Sequence, residues 1–302
     1  MKDLRRIVQF WEARPAQPLA MATLVAAHGS SYRRPGARMM ISSCGESIGG
    51  VSAGCIEEEV IECARKVLRT DTPRLMTFDT RLRFGCHGTI EVFVEPVTGE
   101  VMSALADCAA RRRNCRLETV LEGSAQGTRI GEFEEAPGSF LQTIEPVLQL
   151  ILIGESPDAV ALRNHGTLLE WEVLQLDSAP VPAAMLDERT AVVIATHNFG
   201  RDYAALCDLL PAGLRYLGVV GSRRRREDLL FDLMYNGVEC RSGLFAPAGL
   251  HLGADSPDEI ALSILAEIQS VFGGGTGQQL RHRKAPIHQH FSGTVPCAES
   301  PA

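Results

Sequence analysis

From residue 147 onward the apolar residues arrive in short continuous runs rather than in alternation: VLQLILIG, WEVLQLD, TAVVIATHN and LRYLGVVGS. A strand that is apolar at successive positions has to be buried on both of its faces. That requirement is met in a parallel sheet covered by helices on either side. The intervening stretches read as helices. Pro157 suits the first turn of the helix after the first run. SPDEIALSILAEIQSVF reads as a strong final helix, with Ser256 as N-cap, Pro257 in first position and Glu259 completing a capping box. The residues after Gly273 are glycine-rich and polar, and 276–302 are expected to form a poorly ordered tail.

The first half is organised differently. MKDLRRIVQFWEARP places Leu4, Ile7, Val8 and Trp11 on one helical face, ended by Arg14 and Pro15. Leu19–Ala27 and Ala37–Ser42 read as strands on either side of the turn-rich HGSSYRRPGAR. The glycine-rich GESIGGVSAGC leads into a helix over Ile56–Arg69, acidic at its start and basic at its end, as the helix dipole favours. RLMTF, Thr89–Val97 and Cys115–Leu121 read as strands, Glu100–Arg112 as a helix, and EGSAQGTRIGEFEEAPGS as a turn-rich hairpin. This is an α/β chain of two domains with the boundary near Glu145–Val147: an α+β domain over 1–145 and a Rossmann-like parallel α/β domain over 146–275.

Composition excludes several classes. The net charge of −7 argues against a general nucleic-acid binder, and Arg111–Arg113 and Arg223–Arg226 are local basic runs in an acidic chain. The N-terminus lacks the apolar core of a signal peptide, and no apolar run approaches the length of a membrane span. Nine cysteines without framework spacing point to free thiols in a reducing cytoplasm. No paired C-x-x-C supports structural zinc.

Five places carry candidate chemistry. In VLQLILIGESPDAV the strand, turn and helix are placed as in a dinucleotide fold, with Gly154 at the turn and Asp177 at the end of the next strand, where an acidic residue binds ribose. The remaining glycines of the fingerprint are absent, Ser156 adds a side chain, and Glu155 puts a negative charge where an anion would sit. A scaffold with no dinucleotide at this turn is therefore an equal reading, with Asp177 a simple cap. The second place is Gly218-Val219-Val220-Gly221-Ser222-Arg223, a strand ending in glycine before a helix that starts with a hydroxyl and arginines, a setting for phosphate or carboxylate. Arg225 and Arg226 read instead as a solvated run. Third, His197 ends a buried strand at the edge where open sheets bind ligands, and either contacts a ligand or is merely hydrogen-bonded. Fourth, Cys55 lies at a helix start, opposed by Glu57, Glu58 and Glu59, and Cys86 lies in FGCHG beside His87. Either thiol could meet a soft metal or carry sulfur, or be a buried filler like Cys63, Cys108 and Cys207. The loop Ser30–Gly36 offers hydroxyls and guanidinium groups, or is an ordinary turn around Pro35-Gly36.

Taken in order, AAHGSSYRRPGARMMI, IGGVSAGCIEEEV and FGCHGTIEVFVEP, followed by THNFGRD, RYLGVVGSRRRRE, APAGLHLGADSPDEIALSILAEI and RHRKAPIH, resemble the XdhC/CoxI family over nearly the whole chain to about His288. The resemblance implies a maturation accessory rather than an enzyme. Such a protein binds molybdenum cofactor (molybdopterin), protects it while a cysteine desulfurase partner helps to sulfurate it, and delivers it to the apoenzyme of xanthine dehydrogenase or another molybdenum hydroxylase. A homodimer is compatible with it; nucleic acid and membrane are not expected. Cys55 and Cys86 match the family's cysteine motifs and are the expected residues toward molybdenum. Gly218, Gly221, Ser222 and Arg223 match its glycine–serine–arginine turn. GESPDA stands where the family has a turn resembling GAGPDA, and His87 where glycine is expected. The natural place for the cofactor is a cleft between the domains. Two competitors remain: an NAD(P)-dependent oxidoreductase built on the second domain, and a scaffold that bridges the maturation partners without holding cofactor.

Overall fold

The computed structural model of the chain describes residues 2–29, 31–79, 88–134, 136–238 and 243–282. The chain divides into two compact units, Met1–Pro146 and Val147–Ala302.

The first unit contains α1 (Lys2–Glu12), β1 (Leu19–Gly29), β2 (Arg38–Ser42), β3 (Ser47–Gly49), α2 (Glu57–Thr70), β4 (Arg74–Asp79), β5 (Gly88–Pro96), α3 (Gly99–Ala110), β6 (Cys115–Val120), β7 (Gly127–Ile130) and β8 (Ser139–Ile144). An antiparallel sheet runs β3-β2-β1-β5-β4, with Leu19 opposite Ser42 on one side and Ala20 opposite Pro96 on the other. Its central strand is buried on both faces. Ala20, Ala22 and Leu24 pack with Val60, Ala64 and Val67 of α2, while Leu19 and Met21 pack with Leu4 and Ile7 of α1 and Met102 of α3. Each such large aliphatic side chain contributes on the order of 1.5–3 kcal/mol of burial energy. The hairpin expected over 122–139 takes a different form. EGSAQG is the turn between β6 and β7, and β8 returns to the other side of β6, giving the order β7-β6-β8. Buried Arg38 donates to Gln142 of β8 at 2.5 Å, and buried Glu95 accepts from the Thr128 N–H of β7 at 2.6 Å. These bonds tie the two sheets together. Desolvation brings the Arg38 guanidinium down to about 10, with Glu95 opposing the shift.

The second unit contains β9 (Gln149–Ile153), α4 (Pro157–Leu168), β10 (Glu172–Leu176), β11 (Thr190–Ile194), α5 (Phe199–Leu209), β12 (Tyr216–Val219), α6 (Arg223–Tyr235), β13 (Leu244–Phe245) and α7 (Pro257–Gly273). The sheet is parallel throughout, in the order β10-β9-β11-β12-β13. Along β9, Leu150 and Leu152 face the core shared with α4 and α7; Ile151 and Ile153 face the core shared with α5 and α6. This two-sided burial is why the strand is apolar at every position. Ser256 and Glu259 form the capping box of α7, as expected. The helix expected between β10 and β11 is absent among the described residues, where only a 3-10 turn at Ala183–Met185 lies on the path. Pro180 and Pro182 lack N–H groups and restrict the residues before them, which disfavours a helix there. The short strands β3 and β13 were not anticipated. The expected tail begins inside the described chain, with a 3-10 turn at Leu280–His282, and otherwise lies outside it. No helix among the described residues is long and apolar enough to cross a membrane.

Candidate functional site

The chain leaves β9 for β10 on one flank and then returns to β11 on the other. The loops after β9 and β11 therefore part at the middle of the sheet's C-terminal edge, the position at which open parallel sheets form a ligand crevice. Gly154 lies on that seam with φ at +114°, and a Cβ there would stand 2.6 Å from the carbonyl oxygen of Ala195. Its N–H donates to Leu176 and its carbonyl accepts from Gln175 Nε2 at 2.8 Å. Gly154 is thus demanded by the close approach of two strand ends, whatever binds outside them. Ser156 caps α4, accepting from the Ala159 N–H at 3.2 Å. Asp158, buried in the first turn of α4, is 2.9 Å from His197 Nε2 across the seam. His197 holds a left-handed backbone conformation, φ 51°, and its side chain is about half exposed (49%). The hydrogen-bond partner of His197 is Asp158, which sequence inspection did not pick out. Asp177 lies one residue beyond β10 with an exposed side chain, and its carbonyl accepts from Arg201.

At the next strand end, Gly218 sits inside β12, where a Cβ would come within 2.8 Å of the Tyr216 ring. Ser222 caps α6 by accepting from the Arg225 N–H at 3.2 Å. Arg223 and Arg224 project from the first turn, exposed, and no acidic residue occupies that turn. Arg225 is not the solvated side chain the sequence suggested. It grips Asp202 through Nε at 2.9 Å and Nη2 at 2.5 Å, and Asp202, wholly buried, also accepts from the Thr196 hydroxyl. Gly221 makes room for it: a Cβ there would meet Arg225 Cδ at 2.9 Å. Arg225 and Asp202 are 23 positions apart, so sequence spacing could not reveal the pair. Arg226 is exposed, as expected.

In the first unit Cys55 precedes α2 by two residues and is half-buried, its thiol 3.3 Å from Ser52 Oγ. The turn before it is held by Glu57, whose carboxylate accepts from Ser52 N–H at 2.9 Å, Ser52 Oγ at 2.6 Å and Ile56 N–H at 3.1 Å. Burial acts to raise the Glu57 carboxyl, but these hydrogen bonds outweigh it and hold the group below its ordinary 4.5. Stabilisation from a depressed carboxyl is present above that ordinary value and is lost as pH falls through the lower folded value. Glu57→Gln is therefore expected to cost about 1 kcal/mol near neutrality, the scale of a lost helix cap discounted for partial exposure. The gap from wild type should close in acid, read by urea unfolding at Trp11. Cys86 and His87 lie outside the described residues, and so does Ser30. In the rest of that loop Ser31 Oγ donates to the Arg33 carbonyl at 2.8 Å. Cys63 is buried, while Cys108 and Cys207 are half-buried against the cores. Sequence reasoning passed over Cys44, an exposed thiol in the β2–β3 turn. The Ser42 hydroxyl, 3.0 Å away, and the Glu46 N–H lower its pKa. Among the described residues no cluster of three or more His, Cys, Asp or Glu has a metal-holding arrangement.

Two family models match this chain: the XdhC and CoxI family over residues 13–79 and the XdhC Rossmann domain over residues 150–268. The chain belongs to the XdhC/CoxI family. The Rossmann-domain match of XdhC spans all the strands and helices just described from Leu150 to Ile268, and so contains both the β9–α4 and the β12–α6 turns. Among XdhC-related proteins, a probable xanthine dehydrogenase subunit of Bacillus subtilis is 29% identical over 306 residues, spanning 82% of this chain and 91% of that protein. The molybdenum cofactor insertion chaperone PaoD of Escherichia coli is 26% identical over 271 residues, spanning 83% of this chain and 82% of PaoD. The crystal structure of a xanthine dehydrogenase from Bacillus halodurans superposes with a TM-score of 0.74 at 26% identity, covering 91% of this chain and 96% of that one.

Proposed function

We propose that this chain is an accessory protein that holds molybdenum cofactor and hands it to a molybdenum hydroxylase apoenzyme, xanthine dehydrogenase or a relative, with a cysteine desulfurase taking part in its sulfuration. It works in the cytoplasm and has no catalytic residue of its own. The observation that carries this reading is the β12–α6 turn. There Gly221 and Ser222 lead into a helix whose first turn has exposed arginines and no carboxylate. The likeness to PaoD supports the same reading.

The residues present fit the group. A terminal phosphate asks for backbone N–H donors, a positive dipole end and a guanidinium fork. The first turn of α6, the Ser222 hydroxyl and Arg223 supply these, while Arg225 is held away by Asp202. The soft metal end asks for a thiolate, for which Cys55 and Cys86 are the candidates read from the sequence; Cys86 lies outside the described residues. When bound, the cofactor supplies the redox chemistry of the client enzyme. The carrier's own residues bind, orient and shield it. Gly154 and Gly218 serve by letting the strand ends pack, and His197 with Asp158 and the neighbouring Asp177 border the same edge.

The test is pterin and molybdenum content per chain after expression in a host that makes the cofactor and rapid anaerobic purification. Wild type should carry near-stoichiometric pterin. Arg223→Ala should retain about tenfold less, the scale of one hydrogen bond to a charged group. Folded wild-type protein without pterin, beside a loaded control, would refute the carrier role.

A further inference from the structure

We infer that the first unit binds one small monovalent anion, of about the size of chloride, between the start of α3 and the buried guanidinium of Arg38. This site is independent of the carrier role proposed above.

On the sheet face that carries Met21, the helix α3 and the strands β6 and β7 help to enclose a cavity of about 20 Å³. Arg38 and Glu95 lie in its walls, together with Thr98 and Val101 from the start of α3. That volume admits a body the size of a water or a chloride ion and excludes a pterin or a nucleotide. Arg38 is only 5% exposed. Its Nη1 is engaged, donating to the Gly36 carbonyl at 3.1 Å and to Gln142 Oε1. Its Nη2 is buried and has no hydrogen-bond partner among the described residues. A charged donor buried without an acceptor is costly. Glu95 does not fill that role, because its two oxygens accept from the Thr128 N–H at 2.6 Å and from the Thr128 hydroxyl.

The start of α3 supplies further donors. Thr98 stands at its N-cap and makes no side-chain cap bond, whereas Ser156, Asn198, Ser222 and Ser256 cap α4, α5, α6 and α7. First-turn N–H groups have no acceptor within their own helix, and the dipole places positive potential there. Glu100 is the carboxylate of that turn, and it is exposed. The walls formed by Met21, Met102, Leu105 and Leu117 are apolar. A water would also need acceptors, and the buried side-chain acceptor, Glu95, is already engaged twice; an anion needs donors alone. Burial lowers Arg38 to about 10, which leaves it cationic at neutral pH. The same effect raises the Glu95 carboxyl and so favours its neutral form beside a bound anion. A single positive charge, with a carboxyl group close by, suits a monovalent ion rather than a divalent one.

The experiment uses the full chain with bromide as the probe. Crystals grown in sodium bromide should show one anomalous-scattering peak in this cavity, beside Arg38 Nη2. In solution, thermal unfolding of the first unit is followed at Trp11 in a Trp171→Phe background. Bromide replaces gluconate, which is too large to enter, at constant ionic strength. The midpoint should rise with bromide in the way a single binding site dictates. Glu95→Gln retains the shape of the side chain and removes the neighbouring negative charge, so its apparent affinity for bromide should rise about tenfold. Arg38→Met removes the free donor and should weaken binding by more than about tenfold. A water alone in the cavity, or a midpoint that does not respond to bromide as a bound ligand, would overturn the inference. So would an unchanged affinity in either folded variant, and if Arg38→Met does not fold, Glu95→Gln decides. None of these outcomes alters the pterin content that tests the carrier role.

Discussion

Arg225→Met is expected to destabilise the second unit by about 3–5 kcal/mol, the scale of breaking a buried ion pair from one side. Asp202 has no solvent exposure and accepts two guanidinium bonds from Arg225. Without them a buried carboxylate is left with the Thr196 hydroxyl as its remaining side-chain donor. Removing both charges together, as in Arg225→Met/Asp202→Leu, should restore much of the loss, because the large cost lies in the unpaired charge rather than in the missing attraction. Urea unfolding followed at Trp171, which lies in this unit, reads the effect in a Trp11→Phe background. A loss below about 1 kcal/mol would mean that the pair behaves as an exposed one. The same variant is informative about the site. Arg225 joins the first turn of α6 to the first turn of α5, so on the proposed carrier role a folded Arg225→Met chain should also retain less pterin.

Gly154→Ala is expected to cost about 2–5 kcal/mol, from two separate causes. A left-handed conformation strains any residue with a Cβ by about 1–2 kcal/mol. The added atom would also stand 2.6 Å from the Ala195 carbonyl oxygen and 2.9 Å from the Thr196 Cα. These are backbone atoms just past the end of the central strand β11, and forcing them apart costs about 1–3 kcal/mol more. Gly213→Ala separates the two causes. Gly213 also has positive φ, 64°, but a Cβ there meets nothing within 4 Å, so only the conformational cost of about 1 kcal/mol should appear. Equal losses in the two variants, measured by the same unfolding assay, would remove the packing explanation for Gly154.

Several features could be read without the structure because they depend on neighbours close in sequence. The doubly buried β9 is written in consecutive, mostly aliphatic residues, and the start of α7 in Ser256, Pro257 and Glu259. The ordered motifs were enough to reach the family, since each is a local string. The site was less legible. Gly154 read either as the one glycine kept of a dinucleotide turn or as part of an empty scaffold, and the close approach of the chain beyond β11 adds a packing reason for it. Arg225 read as a solvated arginine because its partner lies on another helix. Glu57 read as a charge opposing the Cys55 thiolate, whereas its carboxylate is engaged by three donors of the turn that carries Cys55.

What the sequence determined alone was thus the periodicity, the caps and the family, all set by residues within about one turn or one strand of each other. Tertiary structure alone decided which polar and charged side chains meet. Asp158 with His197 and Arg225 with Asp202 are pairs 39 and 23 positions apart, brought together by the return of the chain across a parallel sheet. That return sets the protein's own groups at both helix starts: Asp158 with His197 at α4, and Asp202 with Arg225 at α6. Whether a helix terminus can receive an anion depends on what the fold has already placed there, and no local pattern records that.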